Sequence, residues 1–299
     1  MIELVKYMKK VVGDNFDLDI KYKLFRNVYE IIHPSISKKN ISNYKIVIDE
    51  DLFPLLVFYP KKVTNLDSVV IYLCGIGDIC GCRDKYSNIC REISEKCDKL
   101  VIAIDYFEDE LKFPNTLDKC YKTIAALIKE LNEINIISNN ITLMGDSFGA
   151  NIISAINIKS KENNNKFVSK EVLFYPVVSG EYFGESKFES IIRNSEFDLL
   201  TINRLSIFMK KYINKKSDLK NKLVVPLKNM DYDNFPDTLV VVGNMDPLYD
   251  EGVEYFNRIS SNNKKNRFLN VEFAGHGFLG SKDDEIKLKV FKEVKKYIK

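Results

Sequence analysis

The chain has no hydrophobic run long enough to span a bilayer. Among its 299 residues the longest apolar stretch lies around Val69–Gly77, whereas a membrane-spanning helix needs about 20 consecutive apolar residues. The first ten residues carry four charged side chains and lack both an apolar centre and a small-residue cleavage site, so no secretory signal is predicted there. We therefore expect a protein that does not span a membrane and that works in the cytoplasm.

Histidine is scarce, and no basic surface is evident. There are two histidines, and no zinc pattern fits the spacing of the six cysteines, which are Cys74, Cys80, Cys82, Cys90, Cys97 and Cys120. Reduced thiols in a cytosolic protein are the predicted state. The 45 basic residues barely outnumber the 42 acidic ones, and only seven are Arg. Nucleic-acid binding, which usually requires a concentrated basic face and Arg, is therefore not predicted.

Strand-like and helix-like segments alternate along the chain. Several strand-like segments are near-continuous apolar runs, as expected of strands that are covered on both faces. The predicted strands are Tyr44–Ile48, Leu55–Tyr59, Ser68–Leu73, Leu100–Asp105, Ile141–Met144, Glu171–Tyr175, Thr238–Val242 and Phe268–Phe273. The predicted helices, each with an apolar stripe, are Leu117–Asn132, Phe148–Lys159, Asp250–Ser261 and Glu285–Ile298. This alternation predicts a single α/β domain in which helices flank a mostly parallel sheet.

Two segments interrupt the alternation. Residues 1–40 read as helical, and residues 179–228 follow the sixth predicted strand. In the second segment, apolar residues recur at helical spacing between Leu199 and Ile213. Because ligands of open α/β sheets bind at the carboxyl ends of the strands, we expect both segments to form a helical cap over that edge. The alternative is a pair of peripheral helices remote from any site.

The sharpest local signal is the pentapeptide Gly145-Asp146-Ser147-Phe148-Gly149, which follows a predicted strand and precedes a predicted helix. A nucleophilic serine needs a tight strand-to-helix turn that lifts its hydroxyl out of the backbone, and glycine on both sides avoids clashes. The N-terminus of the helix also supplies amide donors, of which the Phe148 N–H is the one expected to face an oxyanion. The motif therefore predicts Ser147 as a nucleophile.

A serine is a weak nucleophile until a base takes its proton, and the sequence offers His33 and His276. His33 lies in the N-terminal segment and is interpreted as an ordinary residue at a helix end. His276 lies among small residues just after the last predicted strand, so its imidazole is free to reach over the sheet edge. Asp246 directly follows the preceding strand and is the predicted carboxylate partner of that imidazole. Asp250 is the rival carboxylate, but we expect it to start or cap the next helix. The nucleophile Ser147 and its two partners thus each follow a strand of their own.

These motifs resemble the hormone-sensitive-lipase-like branch of the α/β-hydrolases, which are carboxylesterases. Residues 145–151 are similar to that branch's Gly-Asp-Ser-Ala-Gly-Gly-Asn, and the likeness runs from about residue 65 to 280. Asp246-Pro247-Leu248 and His276-Gly277-Phe278 also match, and Asp198–Tyr212 resembles the family's cap helix. The resemblance implies the α/β-hydrolase fold and a serine–histidine–aspartate triad in the family's chain order.

The loop after the third predicted strand matches the family's sequence motif less well than the other segments do. Cys74-Gly75-Ile76-Gly77 stands where the family has His-Gly-Gly-Gly. By analogy, the amides of Ile76 and Gly77 join the Phe148 N–H in the oxyanion hole. Phe148 replaces a family alanine, and its bulk is expected to narrow the acyl pocket.

The predicted function is hydrolysis of carboxylic esters, with small or short-acyl substrates and no metal or organic cofactor. Because His276 must be neutral to act as a base, activity is expected to rise with pH around the ordinary imidazole value of ~6.5. Three alternatives remain, namely a peptidase of the same fold, a ligand-binding homologue with weak catalysis, and a purely structural protein. A last strand exposed at the sheet edge would also allow a homodimer.

Overall fold

The computed structural model of this chain describes residues 27–32, 43–47, 52–58, 60, 68–75, 82–106, 111–133, 136, 140–184, 186–195, 198 and 200–299. Within these ranges, no helix is both long and apolar enough to cross a membrane.

Strands from the described ranges join into one sheet. They are β1 (Asn27–Ile32), β2 (Asn43–Val47), β3 (Leu55–Phe58), β4 (Val69–Leu73), β5 (Leu100–Ile104), β6 (Ile141–Asp146), β7 (Lys170–Phe174), β8 (Asp237–Gly243) and β9 (Arg267–Val271). Their order across the sheet is β1-β2-β3-β5-β4-β6-β7-β8-β9. The neighbours from β5 to β9 are parallel, and β1, β2 and β3 extend the sheet by antiparallel pairing. The carboxyl ends of the parallel strands therefore meet at one edge of the sheet, the expected place for a ligand site.

Every residue of β4, β5 and β6 is buried, which explains why the central strands read as continuous apolar runs in the sequence. All eight predicted strands are confirmed as β2 to β9, with ends that agree within two residues. The terminal strand β9 lies at the edge of the sheet, as predicted.

The N-terminal prediction is wrong where the structure tests it. Residues 1–40 were expected to be helical, but Asn27–Ile32 form β1 and pair antiparallel with β2. The sequence of this strand is rich in β-branched and aromatic residues, which favour extended backbone. The rest of the predicted N-terminal cap, including His33, lies outside the described residues.

Helices of the described ranges flank the sheet. They are α1 (Cys82–Cys97), α2 (Asn115–Glu133), α3 (Phe148–Glu162), α4 (Glu189–Ser195), α5 (Ile202–Tyr212), α6 (Tyr249–Ile259) and α7 (Asp284–Tyr297). The four predicted helices correspond to α2, α3, α6 and α7. Helix α1 is not predicted by the sequence pattern.

The segment 179–228 carries α4, α5 and two short 3₁₀ turns, Lys216–Lys220 and Pro226–Lys228, so its predicted helical character is confirmed. A buried carboxylate holds the chain where this segment begins. Glu251 of α6 accepts hydrogen bonds from Val178 N (2.7 Å), Ser179 Oγ (2.6 Å) and Tyr182 Oη (2.7 Å). Burial raises the pKa of Glu251 to about 7, although these donors act in the opposite direction.

Candidate active site

The turn between β6 and α3 has the strained geometry that a nucleophilic serine requires. Ser147 occupies it with φ 50° and ψ −115°, a conformation that a residue with a side chain rarely adopts. The turn packs against the end of β4, because a Cβ atom at Gly149 would lie 2.1 Å from the Leu73 carbonyl oxygen and one at Gly145 would lie 2.8 Å from it. Glycine is therefore needed on both sides, for the steric reason expected from the sequence.

Replacing Gly149 tests this packing. Gly149→Ala is expected to lower the free energy of unfolding by about 3 kcal/mol or more, because the new methyl group has no room beside Leu73. Helix propensity alone would favour alanine by about 1 kcal/mol, so the sign of the change distinguishes the two effects. Ser160→Ala on the same helix is the matched control, since the buried Ser160 hydroxyl has no hydrogen-bond partner among the described residues. Denaturant unfolding followed by circular dichroism measures both, and a stabilised Gly149→Ala protein would contradict the packing argument.

The structure brings the three predicted polar residues together at the carboxyl edge of the sheet. Ser147 Oγ lies 3.0 Å from His276 Nε2, and His276 Nδ1 lies 3.0 Å from Asp246 Oδ2 and 3.2 Å from Asp246 Oδ1. Asp246 is fully buried, and its Oδ1 also accepts the Leu248 N–H at 2.8 Å. With Nδ1–H donating to the carboxylate, Nε2 keeps its lone pair for the serine hydroxyl.

The loops that carry Asp246 and His276 are bonded to each other. Asn244 Oδ1 accepts the Phe273 N–H at 2.8 Å, and the Ala274 carbonyl oxygen accepts the Met245 N–H at 3.0 Å. These hydrogen bonds fix the position of the turn after β8 relative to the turn after β9. The carboxylate and the imidazole are therefore pre-oriented before any substrate binds.

The surroundings of His276 favour its protonated form. Burial by itself lowers the pKa of this imidazole, but the negative charges of Asp246, Asp198 and Asp146 outweigh burial and raise the pKa above its usual value. Asp198, from the segment before α5, also accepts the His276 backbone N–H at 2.6 Å. The ring of Tyr175 meets the imidazole edge-on, with centroids 4.8 Å apart. A base with a raised pKa becomes neutral only at higher pH. We therefore expect the rise in activity with pH to be centred above ~6.5, whereas the sequence alone predicts a rise around ~6.5.

Asp146 does more than precede Ser147. Its Oδ1 accepts hydrogen bonds from Tyr72 Oη and from the Gly75 N–H, both at 2.7 Å, and its Oδ2 lies 3.5 Å from Tyr175 Oη. The Gly75 bond ties the loop after β4 to the turn that carries Ser147. The motif had pointed to Asp146 only as part of the turn, because this bond depends on β4 lying beside β6.

One of the three predicted oxyanion donors, Phe148, lies within the described residues. Ile76 and Gly77 lie outside the described residues, whereas Cys74 and Gly75 are described at the start of their loop. Phe148 is the first residue of α3, and no acceptor in the described part of the chain takes its N–H. Amides in the first turn of a helix have no acceptor within the helix and are the groups that bind anions at helix N-termini.

The rival carboxylate Asp250 behaves as expected from the sequence. It lies in the first turn of α6, and its Oδ2 accepts the Ser190 N–H of α4 at 2.7 Å. No contact with His276 is found for it among the described residues. No cluster of three His, Cys, Asp or Glu side chains suited to a metal ion occurs in those residues either.

The Phe148 side chain links the serine turn to α5. It is buried, and its ring meets the rings of Phe208 and Tyr212 edge-on, each with a centroid distance of 4.7 Å. Helix α5, from the segment predicted to form a cap, therefore packs against the residue that follows Ser147.

Comparisons with known proteins agree with this architecture. A protein-family model described as alpha/beta hydrolase fold matches residues 70–280. An arylesterase from Saccharolobus solfataricus is 28% identical over 261 residues, which cover 86% of this chain and 83% of the relative. A hyperthermophilic esterase from Pyrobaculum calidifontis has a similar structure, with a TM-score of 0.74 and 22% identity over 94% of this chain and 86% of that one. A thermostable carboxylesterase from a metagenomic library also has a similar structure. Its TM-score is 0.72 and its sequence identity is 25%, over 87% of this chain and 90% of that one. These likenesses confirm the fold class predicted from the sequence.

Proposed function

This chain belongs to the alpha/beta hydrolase fold family, and on that premise we propose that it hydrolyses carboxylic esters through Ser147, His276 and Asp246. The observation that carries the proposal is the continuous chain of contacts from the Ser147 hydroxyl through the His276 imidazole to the Asp246 carboxylate. The reaction class is that of a carboxylesterase-type hydrolase. The arylesterase and the thermostable carboxylesterase are named for ester hydrolysis, which supports this class.

The proposed reaction has two similar halves. Ser147 Oγ attacks the ester carbonyl carbon while its proton passes to His276 Nε2, and Asp246 stabilises the imidazolium that results. The carbonyl oxygen becomes an oxyanion, for which the Phe148 N–H is the described donor and the amides of Ile76 and Gly77 are the proposed others. His276 then gives the proton to the departing alkoxide, which leaves as the alcohol. Water attacks the acyl-serine by the same route and releases the carboxylic acid.

Short acyl groups are the proposed substrates. The buried Phe148 ring is held by edge-on contacts with Phe208 and Tyr212 of α5, and we propose that it takes up space beside Ser147 that a longer acyl chain would need. A substrate carbonyl bound next to Ser147 therefore leaves little room for an extended chain on this side.

A panel of p-nitrophenyl esters from acetate to laurate tests both the proposed ester hydrolysis and the proposed preference for short acyl groups. The wild-type protein is expected to have its highest kcat/KM on acetate or butyrate. Phe148→Ala is expected to raise the octanoate-to-acetate ratio of kcat/KM by about tenfold, because removing the ring opens a pocket for additional methylenes. Its backbone N–H is unchanged.

Phe167→Ala is the control for the ester panel. It removes a similar buried ring that contacts Tyr121 instead, and it should leave the acyl ratio unchanged. An unchanged ratio in Phe148→Ala would contradict the short-acyl assignment. A wild-type protein that hydrolyses no ester would contradict the function itself.

A further inference from the structure

A carboxylate of the segment 179–228 reaches the loop of the proposed base. Asp198 lies a few residues before α5, and its two oxygens accept from different parts of the fold. Oδ2 accepts the His276 backbone N–H at 2.6 Å, and Oδ1 accepts the Leu200 N–H at 2.8 Å. One side chain therefore connects the start of α5 with the loop after β9.

The fit between the two segments is tight. A Cβ atom at Gly275 would lie 2.5 Å from Asp198 Oδ2, so the carboxylate occupies the space that any other residue at 275 would need. The small residue before His276 thus serves a close approach of carboxylate and backbone. The sequence had pointed to Asp198 only as the start of a cap helix.

Several charged or titratable groups face the His276 imidazole among the described residues. Asp246 comes from the turn after β8, Asp146 from the end of β6 and Tyr175 from the end of β7. Asp198 comes from a separate segment of the chain, and its negative charge raises the pKa of the imidazole together with that of Asp246. It therefore acts on His276 through both a backbone hydrogen bond and an electrostatic field.

We propose that Asp198 is a positioning residue for His276, which holds the loop of the base from the α5 side and stabilises the imidazolium that forms when Ser147 gives up its proton. The inference rests on the proposed function for the role of His276 as base. Its consequence is that the placement of the segment before α5 sets how readily the base takes a proton. Asp198 itself does not touch the reacting atoms.

Two substitutions separate the hydrogen bond from the charge. Asp198→Asn removes the negative charge but keeps an oxygen that can accept the backbone N–H of His276. Asp198→Ala removes both the charge and the accepting oxygen. Asp218→Asn is the matched control, because Asp218 Oδ2 accepts the backbone N–H groups of Asn214 (3.0 Å) and Lys215 (3.1 Å) in the same segment. Two readouts are used, the titration of His276 by NMR with isotope-labelled histidine and the pH profile of kcat/KM on p-nitrophenyl acetate. The chain has two histidines, so the NMR signals are readily assigned.

In the wild type, the titration midpoint is expected above ~6.5. In Asp198→Asn it should move to lower pH, because a negative charge that favours the protonated imidazole has been removed. The ratio of kcat/KM at about pH 6 to that at about pH 8.5 should then rise at least about twofold. In Asp198→Ala, kcat/KM at about pH 8.5 should also fall by about tenfold, since the backbone N–H of His276 has lost its acceptor. Asp218→Asn should keep the wild-type midpoint and ratio.

A folded Asp198→Asn protein with the wild-type midpoint and the wild-type ratio would overturn the inference. An equal shift in Asp218→Asn would overturn it as well, because the effect would then belong to the segment as a whole. The NMR titration does not depend on turnover. A wild-type protein that hydrolyses no ester would therefore refute the proposed function, while the midpoints would still decide whether Asp198 acts on His276.

Discussion

Ser147→Ala is expected to lower kcat/KM on p-nitrophenyl acetate by about 10⁴-fold or more, because alanine has no oxygen to form the acyl intermediate. The fold should be retained, since the turn keeps both glycines and alanine adds no atoms. Residual turnover would come only from the preorganised donors and from water in the site. Initial rates at matched protein concentration, with circular dichroism to verify folding, measure the effect.

The matched control for this substitution is Ser154→Ala. Ser154 is buried on the same helix, α3, and its hydroxyl donates to the Ala150 carbonyl oxygen at 2.9 Å. Loss of that bond should leave kcat/KM close to the wild-type value. A Ser147→Ala protein that kept activity within about tenfold of the wild type would contradict covalent catalysis at this residue.

Asp246→Asn has the second-largest expected effect, a fall in kcat of about 10³- to 10⁴-fold measured near pH 8.5. The amide can still accept the Leu248 N–H through its oxygen, so the turn after β8 should form. Its NH₂ group, however, can present a donor to His276 Nδ1 and thereby place the ring proton on Nε2, the atom that must accept from Ser147. Because Asp246 raises the pKa of the imidazole, its removal lowers that pKa, and protonation of His276 cannot account for the loss.

Asp250→Asn is the control for the choice between the two carboxylates. Asp250 bonds to Ser190 and is not among the groups that contact His276 in the described residues. Its substitution should change kcat by less than about threefold. A larger loss in Asp250→Asn than in Asp246→Asn would reverse the assignment.

The sheet and the three polar residues could be predicted because their signals are local. Apolar or alternating segments mark β2 to β9, and Ser147, Asp246 and His276 each follow the end of a different parallel strand, so parallel pairing places them at one edge. Helix α1 was missed because its buried positions include Ser87, Cys90 and Ser94, and such small or polar residues make a weak apolar stripe. Strand β1 was missed because residues 1–40 were interpreted as helical. No local signal in that stretch indicated that Asn27–Ile32 pair with β2.

The contacts that tune the site could not be predicted from spacing. The bond from the Gly75 N–H to Asp146 exists because β4 and β6 are neighbours although β5 lies between them in sequence. The contact between Asp198 and His276 joins residues 78 positions apart, and one of them lies in a segment outside the strand–helix alternation. Helical periodicity indicates that such a segment is helical, but it does not determine which loop the segment touches.

The most direct test of the central claim is the site of labelling by a fluorophosphonate, located by peptide mass spectrometry. We predict a single adduct on Ser147 in the native protein, a much slower reaction in His276→Ala, and no adduct on Ser147 after unfolding in urea. These results would show that the folded chain activates this hydroxyl through its imidazole partner. An adduct on another serine, or reaction of Ser147 at equal rates in the native and unfolded protein, would contradict the account.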